Sequence, residues 1–355
     1  MVARRIAAAV LALGVLLLGT ALSSHAQTPA FHDIRPGYGV TAVGWLSDYH
    51  PALKGTPGDS RVYYLDSGVP GATVYVQGGT HGNEIAGVVA ATILVERAIP
   101  TAGRLIVVPH GNNANVDYND GYRLDVPSYI TLEVEGGVPR TFRYGSRRTN
   151  PAYEANPDPE VYVSPDGGVH EGNEIRNLNR VHPGKADGTL TEQISYAIVQ
   201  LLIQENVDIA FDLHEASVGS RLANTLVAHE RAMEPAVYAI LDLSGQGLHF
   251  NLEQSRPEFR GLSHREWGDH TKALAFLTET PNPGQTPGVP NQDPVNDPVN
   301  PLYDRVGRQL AAIRAVLDAT ELLGLPPMTY EGVPTYADLI RDGIGPWLNT
   351  PTARP

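Results

Sequence analysis

Apolar and polar positions along the chain follow two periods, and the switches between them outline an alternation of strands and helices. Arg61 to Asp66 and Ala72 to Gln77 are β-branched and aromatic runs bounded by Gly and Pro, which predicts strands. Glu84 to Ala98 is apolar at helical spacing, and Arg104 to Pro109 (RLIVVP) reads as a buried strand. Thr189 to Glu205 places Ile194, Ile198, Leu201 and Leu202 on one helical face, and Thr189 with Glu192 fits a capping box. Val207 to Leu213 (VDIAFDL) and Ala273 to Thr278 (ALAFLT) predict two further buried strands. Tyr303 to Leu323 predicts a closing helix with Val306, Leu310, Ile313 and Leu317 inward. This alternation predicts an α/β sheet covered on both faces.

Two stretches break the pattern. Residues 110–175 hold no strong helical signal; within them Ser128 to Glu135, a Gly136-Gly137 turn and Val138 to Tyr144 predict a β-hairpin. Residues 281–301 carry seven prolines in 21 positions and predict a loop. Loops this long in a compact domain are usually functional.

The first 26 residues read as an export signal. Arg4 and Arg5 precede an apolar stretch from Ile6 to Leu22, and Ser24-His25-Ala26 supplies small residues at a cleavage site before Gln27. The alternative is an N-terminal anchor, but 17 residues is at the lower limit for spanning a bilayer. The expected organisation is a signal peptide over 1–26, then one domain over 27–355, periplasmic or secreted, with no stable membrane anchor.

Composition narrows the class. Hydrophobic residues make up 42% and charged residues 18%, against about 25% charged in ordinary soluble domains, which argues against disorder or a coiled coil. The formal charge of -13 disfavours nucleic acid as a partner. Cysteine is absent, which excludes disulfides, thiolate zinc sites and cysteine nucleophiles.

Candidate chemistry sits in four short motifs. In Gly78-Gly79-Thr80-His81-Gly82-Asn83-Glu84, His81 and Glu84 are three apart, so a tight turn into a helix can aim both at one point. They either cap that helix or supply two of the three protein ligands a catalytic zinc needs. Phe211-Asp212-Leu213-His214-Glu215 closes a strand, the place where α/β ligand sites form, and would complete a His-Glu-His set. Asp212 is either a partner of that histidine or the local turn acid. Arg176-Asn177-Leu178-Asn179-Arg180-Val181-His182-Pro183-Gly184 pairs arginine with amides, which suits carboxylate capture or a solvated loop. Leu277-Thr278-Glu279-Thr280-Pro281 ends a strand in a carboxylate, either a general base or the start of the proline-rich loop.

In this order the motifs resemble the succinylglutamate desuccinylase/aspartoacylase branch of the zinc carboxypeptidase superfamily, over roughly residues 60–325. The likeness rests on GGTHGNE at 78–84, NLNRVHPG at 177–184, DLHE at 212–215 and TETP at 278–281. It implies a mixed β-sheet flanked by helices, with long loop and hairpin insertions. It implies one Zn2+ per chain held by His81, Glu84 and His214. It also implies a substrate carboxylate held by Asn179 and Arg180, and Glu279 as the catalytic base. The family commonly reads Asp-Leu-Asn-Arg, and Asn177 here replaces the Asp. An upstream arginine that polarises the scissile carbonyl is expected among Arg143, Arg147, Arg148 and Arg176, with Arg147 or Arg148 favoured. His110, His170, His182, His229, His249, His264 and His270 are expected at the surface or behind the ligands.

The expected activity is hydrolysis of an amide bond in a carboxylate-bearing small molecule or peptide. That substrate is an N-acyl amino acid or a peptide C-terminus. The alternatives are a true metallocarboxypeptidase acting on peptides or peptidoglycan stems, and an inactive ligand-binding protein on the same fold.

Overall fold

A computed structural model of the chain describes residues 32–118, 129–134, 136–137, 139–155, 157–285 and 292–349. The export segment, and the prolines at 287 and 290, lie outside the described residues. An eight-stranded mixed sheet forms the centre. In chain order its strands are β1 (Ala42–Trp45), β2 (Arg61–Asp66), β3 (Thr73–Gln77) and β4 (Arg104–Val108). They are followed by β5 (Ile209–Ser217), β6 (Thr225–Ala228), β7 (Asn251–Gln254) and β8 (Leu274–Asn282). Their spatial order is β1-β2-β4-β3-β5-β8-β6-β7. The central four, β4-β3-β5-β8, are parallel, whereas β2 and β6 run antiparallel to their inner neighbours.

The sheet is covered on both faces, as the strand-helix alternation predicts. Helices α1 (Ile85–Arg97), α3 (Met233–Gly245) and α5 (Leu302–Leu322) pack one face, over Val74, Val76, Phe211, Leu213 and Phe276. On the other face α2 (Leu190–Gln204) and α4 (Ser263–His270) bury Ile194, Ile198 and Trp267 against Tyr75, Ile106, Ala210 and Ala275. The short α6 (Tyr336–Asp342) rests on α5. Among the described residues no helix is long and apolar enough to cross a membrane.

The expected capping box forms at α2: Thr189 accepts from Glu192 N, and Glu192 accepts from Thr189 N. The expected hairpin forms over Tyr129–Leu132 and Arg140–Arg143, and a second joins Val161–Val163 to Val169–Glu171. Two expectations need correction. Strand β5 does not stop at Leu213 but runs to Ser217, and β8 runs to Asn282, so Glu279 and Pro281 are strand residues. Continuous pairing of the two strands, from Ile209 with Leu274 to Ser217 with Asn282, carries them past the apolar runs.

Candidate active site

The site is built where β3, β5 and β8 open toward the α4 face. After β3 the chain turns at Gly79, whose φ of +66° favours glycine, and reaches His81 before Glu84, which precedes α1 without its side chain capping the helix. The helix lies close against β5: a Cβ on Gly87 would fall 2.5 Å from the Leu213 carbonyl oxygen. This close packing sets Glu84 beside the strand that carries His214.

His81, Glu84 and His214 are buried, and their ligand atoms lie within 4.8 Å of one another. His81 Nδ1 is 2.7 Å from Glu84 Oε1, and His214 Nδ1 is 2.9 Å from Glu84 Oε2. Both imidazoles thus turn the same nitrogen toward the carboxylate. Their outer nitrogens face oxygen acceptors: His81 Nε2 is 2.9 Å from Asn177 Oδ1, and His214 Nε2 is 2.8 Å from Asp212 Oδ2. The Asp212 contact is one of charge rather than an aligned hydrogen bond, since His214 Nε2 has no well-oriented acceptor among the described residues. Outer acceptors of this kind fix the tautomer of metal-ligating histidines. Asp212 is itself held, accepting from Thr80 Oγ1 at 2.6 Å and Ser263 Oγ at 2.5 Å, so it is not a turn acid.

Charge follows this geometry. Burial resists ionisation of Glu84, but His81 and His214 outweigh it and hold its carboxyl well below the usual range. Burial likewise opposes a charged His214, yet Asp212 and Glu84 hold its imidazole well above its usual range. Burial lowers His81 to about 4, against the pull of Glu84 and with help from Arg147. Two imidazole nitrogens turned onto one persistent carboxylate form a donor set suited to Zn2+.

The remaining predicted residues separate. Glu279 stands beside His214 in register and reaches the same cavity, of about 370 Å³. Burial, then Glu84, pushes its pKa up to about 8, against His214 and Arg147. Its Oε2 is shut off from solvent and unpartnered among the described residues. Asn179 and Arg180 line this cavity; Asn179 Oδ1 accepts from Ser263 N at 2.8 Å, and Arg180 Nη1 donates to the Asn179 carbonyl at 2.6 Å. Burial, then Arg147, lowers Arg180 to about 10.

Among the arginines expected to polarise a carbonyl, only Arg147 lines the cavity, with Nη1 4.0 Å from Glu84 Oε1. Arg148 is paired with Glu174. Arg176 turns away: it donates to the Thr149 carbonyl and forks onto Asp158 at 2.8 and 3.2 Å. Arg143 is exposed on its hairpin strand.

Several residues of the site were not foreseen. Gln285 donates to Glu84 Oε1 at 3.0 Å from the proline-rich segment. Glu174 accepts from Asn177 Nδ2 at 2.6 Å. Burial opposes its ionisation, but Arg147, Arg148 and Arg180 draw its pKa down to about 2. Of the histidines placed outside the ligand set, His264 is a cavity wall residue and His110, His182 and His229 are buried. His264 and His270 do not meet: the first contacts Ser255, the second Asp166. Two other groups of histidine and carboxylate, around Asp166–Glu266–His270 and His229–Glu230–Asp269, are threaded by the guanidinium groups of Arg260 and Arg265, which occupy a cation's place.

Comparison with known proteins bears out the resemblance read from the motifs. Residues 162–282 match the family model of the succinylglutamate desuccinylase/aspartoacylase catalytic domain. No curated protein matches. Among solved structures, a succinylglutamate desuccinylase from Silicibacter sp. is 18% identical with a TM-score of 0.43, covering 78% of this chain and 64% of that one. The product-bound ectoine utilization protein EutE (DoeB) of Ruegeria pomeroyi is 18% identical with a TM-score of 0.44, covering 78% and 63%. The tripeptide-bound cell shape determinant Csd4 of Helicobacter pylori is 14% identical with a TM-score of 0.45, covering 77% and 56%. The chain thus spans less than two thirds of the length of each.

Proposed function

We propose that this protein is an exported zinc-dependent hydrolase that cleaves an amide bond in a carboxylate-bearing substrate. The observation that carries the reading is the pair of Nδ1 atoms converging on Glu84, each imidazole held from behind by Asn177 or Asp212. His81, Glu84 and His214 would hold the metal. Bound there, Zn2+ acidifies a water to a pKa of about 7 and polarises a carbonyl.

The rest of the chemistry belongs to the chain. Glu279 takes the proton of the attacking water and returns it to the leaving amine. Its raised pKa suits that exchange, and positive charge brought to the Glu84 side opposes the upward push, toward the ionised form a base requires. Arg147 is the cavity's guanidinium beside Glu84 and stabilises the oxyanion as it forms. Arg180, oriented by its bond to the Asn179 carbonyl, holds the substrate carboxylate, with Asn179 beside it. Fixing that group sets the scissile bond against Glu279.

The test is a panel of N-acyl amino acids and short peptides, with their C-terminal amides, offered to zinc-loaded protein. Turnover of free acids well above the amides is expected. Retained zinc with no turnover of any member would favour a ligand-binding protein instead.

A further inference from the structure

Beyond Glu279 the site does not end. The sheet register sets a row of side chains across four strands: His214 faces Glu279, Glu279 faces Thr225, and Thr225 faces Asn251. The next row inward brings Leu277, Val227 and Glu253 side by side on the same face. This second row floors the cavity that holds His81 and Glu279. Arg221 and Glu253 also line an adjoining groove of about 620 Å³ over β6 and β7, together with Thr225, Asn251, Gln254 and Arg256.

Two features of this groove call for a ligand. Its guanidinium groups are poorly matched within the protein: Arg221 Nη2 lies 3.5 Å from Glu253 Oε1, and Arg256 Nη1 lies 4.0 Å from Glu258 Oε1. Both side chains are largely exposed, at 76% and 59%. Thr225, only 1% exposed, has a hydroxyl with no hydrogen-bond partner among the described residues. A buried hydroxyl left unpaired is costly, and a groove wall is where a bound group would satisfy it.

We infer that the groove over β6 and β7 is a second recognition subsite, which takes a carboxylate on the acyl side of the scissile bond of an extended, peptide-like substrate. This rests on the hydrolase reading above and names its substrate class. Length decides against a single N-acyl amino acid. Asn251 stands two strand spacings from Glu279, roughly 10 Å at about 4.8 Å per strand. One residue of extended chain covers about 3.5 Å, so an anion must sit two or three residues from the bond to reach Arg221 or Arg256.

The experiment compares N-acetyl-Glu-Ala-Ala with N-acetyl-Gln-Ala-Ala, which differ only in that charge. Calorimetry on the zinc-loaded protein gives Kd for each, and kinetics give kcat/KM. Binding of the acidic peptide about tenfold tighter than its amide partner is expected, with the ratio falling toward one in the R221Q/R256Q double variant. A wild-type ratio near one overturns the subsite whether or not the peptides are cleaved. So does an acidic preference that survives in the double variant. Absence of cleavage with the binding preference intact would count against the hydrolase reading alone.

Discussion

The two walls of the cavity are built on opposite terms. On the inner wall the polar groups hold one another: Glu84 between two imidazoles, His81 against Asn177, and Asp212 between Thr80 and Ser263. On the outer wall Glu279 Oε2 and Thr225 Oγ1 lack partners among the described residues, and Arg221 and Arg256 are loosely paired. The first arrangement pairs its polar groups internally, and it is the one proposed to hold a metal. The second leaves hydrogen-bonding capacity unspent, which the proposed substrate contacts would use. The difference follows the sheet: the inner wall stands on the parallel strands β3 and β5, buried on both faces, whereas the outer wall runs from β8 to the edge strand β7.

The sharpest break between the walls is Glu279→Gln. The amide keeps size and hydrogen bonding but cannot take the proton, so kcat should fall by about 10²- to 10⁴-fold with zinc and folding unchanged. Zinc lost along with activity would move Glu279 into the metal-holding set.

Asp212→Asn tests the inner wall from behind. Asparagine retains the shape but removes the charge facing His214 Nε2. Zinc affinity, measured by competition with a chelator, should weaken by about 10- to 100-fold. Unchanged affinity would make the Asp212 contact incidental.

Arg180→Lys keeps charge but loses the planar fork. A fall of about tenfold in kcat/KM is expected on substrates with a free carboxylate, and little change on their amides. Equal loss on both would place Arg180 in the scaffold or at the oxyanion.

The smallest effect separates two threonines. Thr80→Val removes a hydroxyl that donates to Asp212 and accepts from Gln77, and should cost about 1–3 kcal/mol of stability in denaturant unfolding. Thr225→Val removes a buried hydroxyl with no such partner and should leave stability unchanged or raise it. Equal costs would erase the contrast between the walls.

The inner wall was the more legible of the two in the sequence. His81 and Glu84 lie three residues apart at a glycine turn, and α2 and α5 carry long helical periods that local spacing exposes. The contacts that complete the wall are not local: Asn177 meets His81 across 96 residues, and Ser263 meets Asp212 across 51. Nothing in either segment marks such a partner. The outer wall was obscure for another reason. Edge strands such as Asn251–Gln254 are half solvated and short, so their polar residues imitate a loop. The choice among Arg147, Arg148 and Arg176 likewise awaited the fold, since all three lie in or beside a stretch without helical or strand periodicity. Strands β5 and β8 outran their apolar cores because pairing with each other, rather than composition, sets their ends.

The central claim is that the inner wall holds one zinc through His81, Glu84 and His214. It is tested most directly by elemental analysis of the wild-type protein beside His81→Ala and His214→Ala, each metal-stripped, reloaded with zinc and desalted. One zinc per chain in the wild type, with most of it lost in both variants, is the predicted result, because removing one of three ligands leaves an incomplete site. Full zinc in either variant, or none in the wild type, would contradict the account.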